Sequence, residues 1–179
     1  NSIASTDLAA HWSLDPKVIY LNHGSFGACP TVVLDAQQRF RNQLEQEPLR
    51  FFSREFEPLL DGARDALAQF VGADPAELVF VPNATTGVNS VLRSLEFGLG
   101  DELLTTSHAY NACRNALEFV AQRSGAKITI APIPFPLESA DQAVQCILYC
   151  VSPQTKLALL DPITSQTALI LPIQTLVQK

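Results

Sequence analysis

The sequence predicts an α/β protein that has a mostly parallel sheet and, before it, N-terminal helices. From residue 78 onward, short apolar segments alternate with amphipathic segments of helical period, which is the pattern of strands connected by crossover helices. Upstream of residue 78, apolar residues recur at helical spacing without that alternation. The helical layer and the sheet therefore belong to different parts of the chain.

Two helices are predicted in the N-terminal part, after residues 17–22 (KVIYLN), which indicate a short strand or an extended arm. The first helix opens at Thr31 and ends before Pro48, because proline cannot continue a helix. The second starts near Pro58 and ends at Gly72, which suits a helix C-terminus. Its apolar stripe consists of Leu59, Ala63, Leu67, Phe70 and Val71.

Four strands are predicted farther along, at residues 78–81, 103–106, 127–131 and 156–161. The helical segments between them cover residues 88–95, 111–123 and 139–151. The last of these opens with a capping box formed by Ser139 and Gln142. Parallel sheets bind ligands at the carboxyl ends of their strands, so the stretches NATTG, TSHAY and DPITS, which follow strands, are the candidate site.

Composition and charge limit the classes of function. Of the 179 residues, 47% are hydrophobic and 17% are charged, which is typical of a globular domain and excludes a disordered chain. The net charge of −6 argues against a surface for nucleic acid or anionic membrane, because such a surface needs a basic face. No apolar run in the sequence is long enough to span a bilayer.

The four cysteines and three histidines do not form a zinc motif. No CxxC or HExxH is present, and Cys146 and Cys150 are four positions apart in a helical pattern, which indicates small core residues. We therefore expect no metal site, reduced cysteines and a cytoplasmic protein.

The stretch NATTG, residues 83–87, follows a predicted strand and opens a helix. A helix N-terminus has free N–H groups and the positive end of the helix dipole, so it can hold a phosphate, and Thr85 and Thr86 add hydroxyl donors. The stretch has no lysine and so differs from the P-loop of nucleoside triphosphate enzymes. The pattern fits a single phosphate, and it equally fits an ordinary helix cap that binds no ligand.

Two further stretches place candidate side chains in loops. TTSHAYNAC puts His108 and Tyr110 after a strand, where a planar ring could stack on a flat cofactor; an ordinary loop histidine fits the same pattern. NHGSFG has two glycines and His23 in one bend, which indicates backbone close to a ligand. GSFG does not complete the G-x-S-x-G pattern of a serine nucleophile elbow.

Five segments carry a resemblance to a known family, and they follow one another along nearly the whole chain: NHGSFGACP, REFEPLL, VFVPNATTGVNSVLRSL, GDELLTTSHAYNACRNAL and LALLDPITSQTALILPI. Together they resemble the class V aminotransferase family of pyridoxal-phosphate (PLP) enzymes, and within it the isopenicillin-N-epimerase-like branch, which is related to cysteine desulfurases and C–S lyases. The resemblance implies the large domain of a fold-type I PLP-transferase, here incomplete. It divides the chain into an N-terminal arm with helices, residues 1–57, and the first part of the PLP-binding domain, residues 58–179.

The resemblance implies how PLP would be bound. The residues that would hold its phosphate are Ala84, Thr85 and Thr86. His108 would stack on the pyridine ring, with Tyr110 as the alternative. Thr164 and Ser165 would lie near the phenolic oxygen.

It also implies a substrate pocket, lined by Asn22, His23, Gly24 and Arg54, with the arginine toward the substrate carboxylate. Two positions depart from the branch: Pro162, where it usually has His, and Ala168, where it usually has Gly. We interpret Asp161 as a strand-end residue.

The resemblance places the Schiff-base lysine and the acidic partner of the pyridinium nitrogen C-terminal to Lys179. None of the lysines present lies in a matching motif; they are Lys17, Lys127, Lys156 and Lys179. We therefore expect this chain by itself to lack the catalytic base and to be inactive.

The complete protein is accordingly predicted to be a homodimeric PLP-dependent enzyme that acts on an amino-acid substrate through an aldimine. Its reaction would be that of an epimerase (an isomerase), an aminotransferase (a transferase) or a C–S lyase or desulfurase. One alternative is a non-catalytic module that binds PLP or a phosphorylated metabolite, or a partner subunit. A second alternative, an α/β hydrolase with His23 and Gly24 in its oxyanion loop, lacks the nucleophile elbow that such an enzyme needs.

Overall fold

The computed structural model describes residues 7–179, so the first six residues of the predicted N-terminal arm lie outside the described residues. The chain divides into two compact units, of which the first ends at Val79 and the second comprises Phe80–Lys179.

The first unit is helical. Its elements are a 3₁₀ turn (Asp7–His11), α1 (His23–Phe26), α2 (Thr31–Gln46), α3 (Pro48–Arg50), a π-helical turn (Phe51–Glu55), α4 (Phe56–Val71) and a second 3₁₀ turn (Pro75–Glu77). Helix α2 confirms the first predicted helix, and α4 confirms the second, beginning two residues earlier than predicted. Gly72 ends α4 with a left-handed φ of 72°, as a C-terminal glycine does. Residues 17–22 form no strand.

The segment between α2 and α4 is helical, which the sequence did not reveal. Glu55 holds it together, because its carboxylate accepts from Arg50 Nε at 2.6 Å and from Gln43 Nε2 at 2.6 Å. Phe51 is only 8% exposed and packs its ring against that of Phe52. The predicted domain boundary between residues 57 and 58 falls inside α4, and it stays a prediction.

The second unit has a parallel sheet between helices. Its elements are α5 (Ala84–Ser94), β1 (Glu102–Thr106), α6 (Asn111–Ser124), β2 (Lys127–Ala131), α7 (Ala140–Tyr149), β3 (Thr155–Ala158) and α8 (Ile173–Val177). The three strands are parallel in the order β2-β1-β3, with β1 in the middle. Because β1 is central, the loop that follows it lies between the loops that follow β2 and β3.

Strand β1 is buried on both faces. Its consecutive side chains point to opposite sides of the sheet, and helices cover both sides. Leu103 packs with Leu92 of α5 and Leu117 of α6. Leu104 packs on the other face with Ile147 of α7. Both strand leucines are 0% exposed, so the sheet is covered by helices on each side.

One predicted strand is absent, and two predicted boundaries are wrong. Residues 78–81 form no strand: Val79 is 83% exposed, and in the described part of the chain the sheet begins only at Glu102, so these residues have no strand to pair with. Strand β3 is shorter than predicted, although Leu159 N–H still donates to the Leu104 carbonyl at 2.8 Å. Helix α7 ends before Val151, while Ser139 caps its start as predicted.

Residues 7–179 contain neither a membrane-spanning helix nor a cluster of metal-binding side chains. No helix there is long and apolar enough to cross a membrane. The same residues contain no group of three or more His, Cys, Asp or Glu side chains that could hold a metal ion.

Candidate active site

The start of α5 offers backbone donors to an anion. Asn83 has extended backbone, and its side-chain oxygen accepts from the Thr86 N–H at 2.9 Å and from the Thr86 hydroxyl at 3.1 Å. The N–H of Gly87 donates to the Asn83 carbonyl at 3.2 Å. Among the described residues, the N–H groups of Ala84 and Thr85 have no protein acceptor. These two groups are therefore free backbone donors at the positive end of the helix dipole.

The start of α6 lies next to the start of α5. The backbone N–H of Tyr110 donates to Asp161 Oδ2 at 2.7 Å. Cys113, in the first turn of α6, is 6% exposed. Burial raises the pKa of its thiol, the charge of Asp161 raises it further, and a hydrogen bond with Thr85 lowers it. Asp161, which lies beyond β3, and Tyr110 and Cys113, which lie at the start of α6, thus come together at the carboxyl end of the sheet.

His108 follows β1 at the same end of the sheet, and both nitrogens of its ring have partners. Nε2 lies 2.9 Å from the carbonyl oxygen of Ile133, and Nδ1 lies 2.9 Å from the hydroxyl of Thr167. The Thr167 hydroxyl is in turn 2.8 Å from that of Thr164, which accepts from the N–H of Leu169 at 2.9 Å. This chain of bonds joins the loops that follow all three strands.

The third of these loops, residues 162–171, is a tight turn held by its own backbone. The N–H of Thr164 donates to the Leu169 carbonyl at 3.0 Å, and the N–H of Leu171 donates to the Pro162 carbonyl at 2.9 Å. Ala168 has a φ of 52°, in the left-handed region that favours glycine. The resemblance implies a glycine at this position, and glycine adopts such a φ without strain.

The structure gives Thr164 and Ser165 different surroundings. Thr164 is 1% exposed and its hydroxyl is engaged within the loop, so it is closed to a ligand in this arrangement. Ser165 is exposed. Of these two residues, Ser165 is the one with an accessible hydroxyl.

The predicted substrate residues lie in the first unit. Asn22 precedes α1, which contains His23 and Gly24. The ring of His23 packs edge-on against that of Tyr20, with centroids 4.8 Å apart. Arg54 lies in the π-helical turn and is exposed. That these four residues line a substrate pocket stays a prediction.

Sequence reasoning missed three residues of the site. Thr167 lies three positions after Thr164 in the segment LALLDPITSQTALILPI. In a turn, that spacing can bring two hydroxyls together, and it was the one sequence signal for Thr167. Asp161 lies three residues beyond β3 and bonds to the start of α6, a pairing 51 positions apart that no local pattern shows. Cys113 is one of four cysteines, and no motif in the sequence distinguishes it from the others.

Comparison with known proteins identifies the family. The model of aminotransferase class-V matches residues 19–179 of the chain. The chain belongs to the class V aminotransferases. The resemblance seen in the sequence is thereby confirmed, and the sheet and helices of the second unit agree with it.

Two relatives within this family have different names. A probable chloroplastic L-cysteine desulfhydrase of Arabidopsis thaliana is 30% identical over 193 residues, which cover 99% of this chain and 41% of the relative. An isopenicillin N epimerase of Amycolatopsis lactamdurans is 36% identical over 163 residues, which cover 89% of this chain and 41% of the relative. The chain therefore spans about two fifths of the length of the curated relatives it matches.

A solved structure shows the same fold. The complex between the cystine C–S lyase C-DES and its reaction product cysteine persulfide superposes with a TM-score of 0.80 at 26% identity. The match covers 89% of this chain and 42% of that structure. The predicted PLP-transferase architecture, helices followed by a parallel sheet, is confirmed.

Proposed function

We propose that the protein is a PLP-dependent enzyme that acts on an amino-acid substrate, of the C–S lyase or epimerase type. The observation that carries this proposal is the pair of unbonded N–H groups at Ala84 and Thr85, at the sheet edge from which the His108 loop emerges. The names of the relatives, cysteine desulfhydrase and isopenicillin N epimerase, support the choice of reaction type.

The start of α5 fits the phosphate of PLP. Two free N–H groups, the hydroxyl of Thr85 and the helix dipole form a donor set for an anion. In the structure, the N–H and the hydroxyl of Thr86 both donate to Asn83. We propose that its N–H stays with Asn83 and that its hydroxyl turns to the phosphate.

The loops after the strands would hold the ring of the cofactor. We propose that His108 presents the face of its imidazole, with Tyr110, 46% exposed, as the alternative. The exposed hydroxyl of Ser165 would lie near the phenolic oxygen, in place of the buried Thr164. Bound PLP supplies an electron sink for negative charge at the substrate Cα.

The substrate residues of the first unit remain part of the proposal. Asn22, His23 and Gly24 would line the pocket, and Arg54 would bind the substrate carboxylate. Arg54 is exposed, and no carboxylate pairs with it within residues 7–179, so its guanidinium is available for a bidentate contact.

The test is PLP binding by the intact protein, followed by borohydride reduction and mapping of the modified lysine by mass spectrometry. We expect a pyridoxyl group on a lysine other than Lys17, Lys127, Lys156 and Lys179. Thr85→Val should weaken PLP binding by about tenfold, the equivalent of about 1.4 kcal/mol. Ser94→Ala, at the far end of the same helix, is the matched control and should bind PLP as the wild type does.

Two results would count against the proposal. PLP binding without any modified lysine would favour a non-catalytic binding module or a partner subunit. Equal loss of binding in the Thr85 and Ser94 variants would show that the start of α5 does not hold the phosphate.

We further propose that the complete protein is a homodimer in the cytoplasm. Large apolar side chains stay exposed on the helices of the first unit, among them Leu49 at 81% and Phe70 at 87%, which supports an interface there. The cytoplasmic location rests on the four free cysteines, which suit a reducing compartment.

A further inference from the structure

The hydrogen bonds around His108 have a direction that can be worked out atom by atom. The carbonyl of Ile133 can only accept, so Nε2 of the ring carries a hydrogen and donates to it. At the other end, the N–H of Leu169 can only donate, so the Thr164 hydroxyl accepts from it at 2.9 Å. Two hydroxyls, those of Thr164 and Thr167, lie between these fixed ends.

Only one donor-to-acceptor order of these hydrogen bonds gives both threonine hydroxyls a short bond to an acceptor. If Thr164 donates to Thr167, then Thr167 donates to Nδ1 of His108, over 2.8 Å and 2.9 Å. In the reverse direction, the hydroxyl hydrogen of Thr164 would have only the Leu169 carbonyl, 3.5 Å away. Thr164 is 1% exposed, so a hydroxyl without a good acceptor would be costly there.

The same bonds fix the orientation of the ring. Nε2 is held by the loop after β2, and Nδ1 is held by the loop after β3. A ring bonded at both nitrogens cannot turn about its Cβ–Cγ bond without breaking one of these contacts. Its two nitrogens are occupied by protein groups, and its faces are what it can offer to a ligand.

We propose that Thr167 is a positioning residue that holds His108 in the Nε2–H tautomer, so that the histidine serves as a flat stacking platform and not as a general acid or base. The part of this proposal that concerns stacking rests on the proposed function, because it needs PLP at the site. The part that concerns the tautomer depends only on residues of the second unit.

The first experiment reads the tautomer directly. The intact protein is labelled with ring-¹⁵N histidine, and the two nitrogen resonances of His108 are assigned by their loss in His108→Gln. At about pH 8, wild type should show a protonated Nε2 and an unprotonated Nδ1. A protonated Nδ1 in the wild type would overturn the proposal whatever the variants do.

Three variants separate positioning from general packing. Thr167→Val removes the hydroxyl and keeps the shape, so Nδ1 loses its donor and its resonance should shift. Only the Ile133 carbonyl then favours Nε2–H, so the Nδ1–H tautomer should gain population. Thr167→Ser restores the hydroxyl and should restore the wild-type pattern. Thr129→Val is the matched control, because the Thr129 hydroxyl is buried without a partner among the described residues, and it should leave the His108 resonances unchanged. Unchanged resonances in Thr167→Val would overturn the proposal.

PLP titration of the same variants tests whether His108 stacks on the cofactor. We expect Thr167→Val to weaken PLP binding by about threefold to tenfold, or up to about 1.4 kcal/mol, and Thr167→Ser to recover it. A shifted tautomer with unchanged PLP affinity would overturn stacking by His108 and leave the positioning by Thr167 intact. Absence of PLP binding in the wild type would instead count against the proposed function.

Discussion

The carboxylate of Asp161 accepts a hydrogen bond at 2.7 Å from the backbone N–H of Tyr110, 51 positions earlier in the chain. Tyr110 is the N-cap residue of α6 and has no side-chain capping bond of its own. Asp161 therefore supplies the cap from another loop, with its charge near the positive end of the helix dipole. The contact ties the segment beyond β3 to the beginning of α6.

Removal of this carboxylate should destabilise the protein. We expect Asp161→Ala to lower the free energy of unfolding by about 1–2 kcal/mol, since it leaves the Tyr110 N–H without its acceptor. Asp161→Asn should lose less, because an amide oxygen can still accept. Urea denaturation measures both, with Asp65→Ala, an exposed site on α4, as the control. Equal stability of the Asp161 and Asp65 variants would contradict the capping role.

Glycine at position 168 should make the protein more stable than the alanine that is present. The φ of 52° at Ala168 costs an L-residue about 1–2 kcal/mol, while glycine adds about 0.5–1 kcal/mol of backbone entropy cost. We therefore expect Ala168→Gly to raise the free energy of unfolding by about 0.5 kcal/mol. Ala66→Gly, at an exposed position in the middle of α4, should instead lower it by about 1 kcal/mol. Both are measured by thermal or urea denaturation, and a loss of stability in both would disprove the argument.

Cys113 should make stability sensitive to alkaline pH. Burial, and then the charge of Asp161, raise the pKa of its thiol above the ordinary value of 9.0. A group whose folded pKa is raised stabilises the fold fully below the unfolded pKa, and that contribution is lost as pH rises through the folded pKa. The difference in free energy of unfolding between wild type and Cys113→Ala should thus be constant up to about pH 8 and move against the wild type above pH 9, by at most about 1.4 kcal/mol per pH unit. Cys29→Ala, which removes an exposed thiol, is the control.

The elements predicted most accurately are those whose ends are marked by residues nearby in the sequence. Thr31–Gln46 and Asn111–Ser124 were predicted to within a residue or two, because a proline or a glycine marks their ends. The cap at Ser139 was also predicted, since the side chain and the N–H that it binds are three residues apart. Patterns of this kind need no knowledge of the rest of the fold.

Elements that depend on distant partners were predicted less well. Residues 78–81 have the composition of a strand, but a strand forms only where another strand pairs with it. The family resemblance singled out His108 and Thr164 as site residues, and those roles stay predictions. The bond from Thr167 to His108 spans 59 positions and required the fold. The role of Asp161 was missed for the same reason.

Two threonines in the sheet give opposite predictions for the same substitution. The hydroxyl of Thr129 in β2 is buried, and no group in residues 7–179 bonds to it. Thr105 in β1 is 0% exposed, and its hydroxyl donates to the Leu159 carbonyl at 3.0 Å. Removal of a buried hydroxyl that lacks a partner stabilises a fold, whereas removal of one that bonds to a buried carbonyl leaves that carbonyl unsatisfied.

We therefore expect Thr129→Val to raise the free energy of unfolding by about 1 kcal/mol and Thr105→Val to lower it by about 1–2 kcal/mol. Valine keeps the branched shape that suits a strand, so the two variants differ mainly in the hydrogen bond. Urea denaturation of both variants beside the wild type measures the two changes. A loss of stability in Thr129→Val as large as that in Thr105→Val would show that the Thr129 hydroxyl has an acceptor in solution, such as an ordered water.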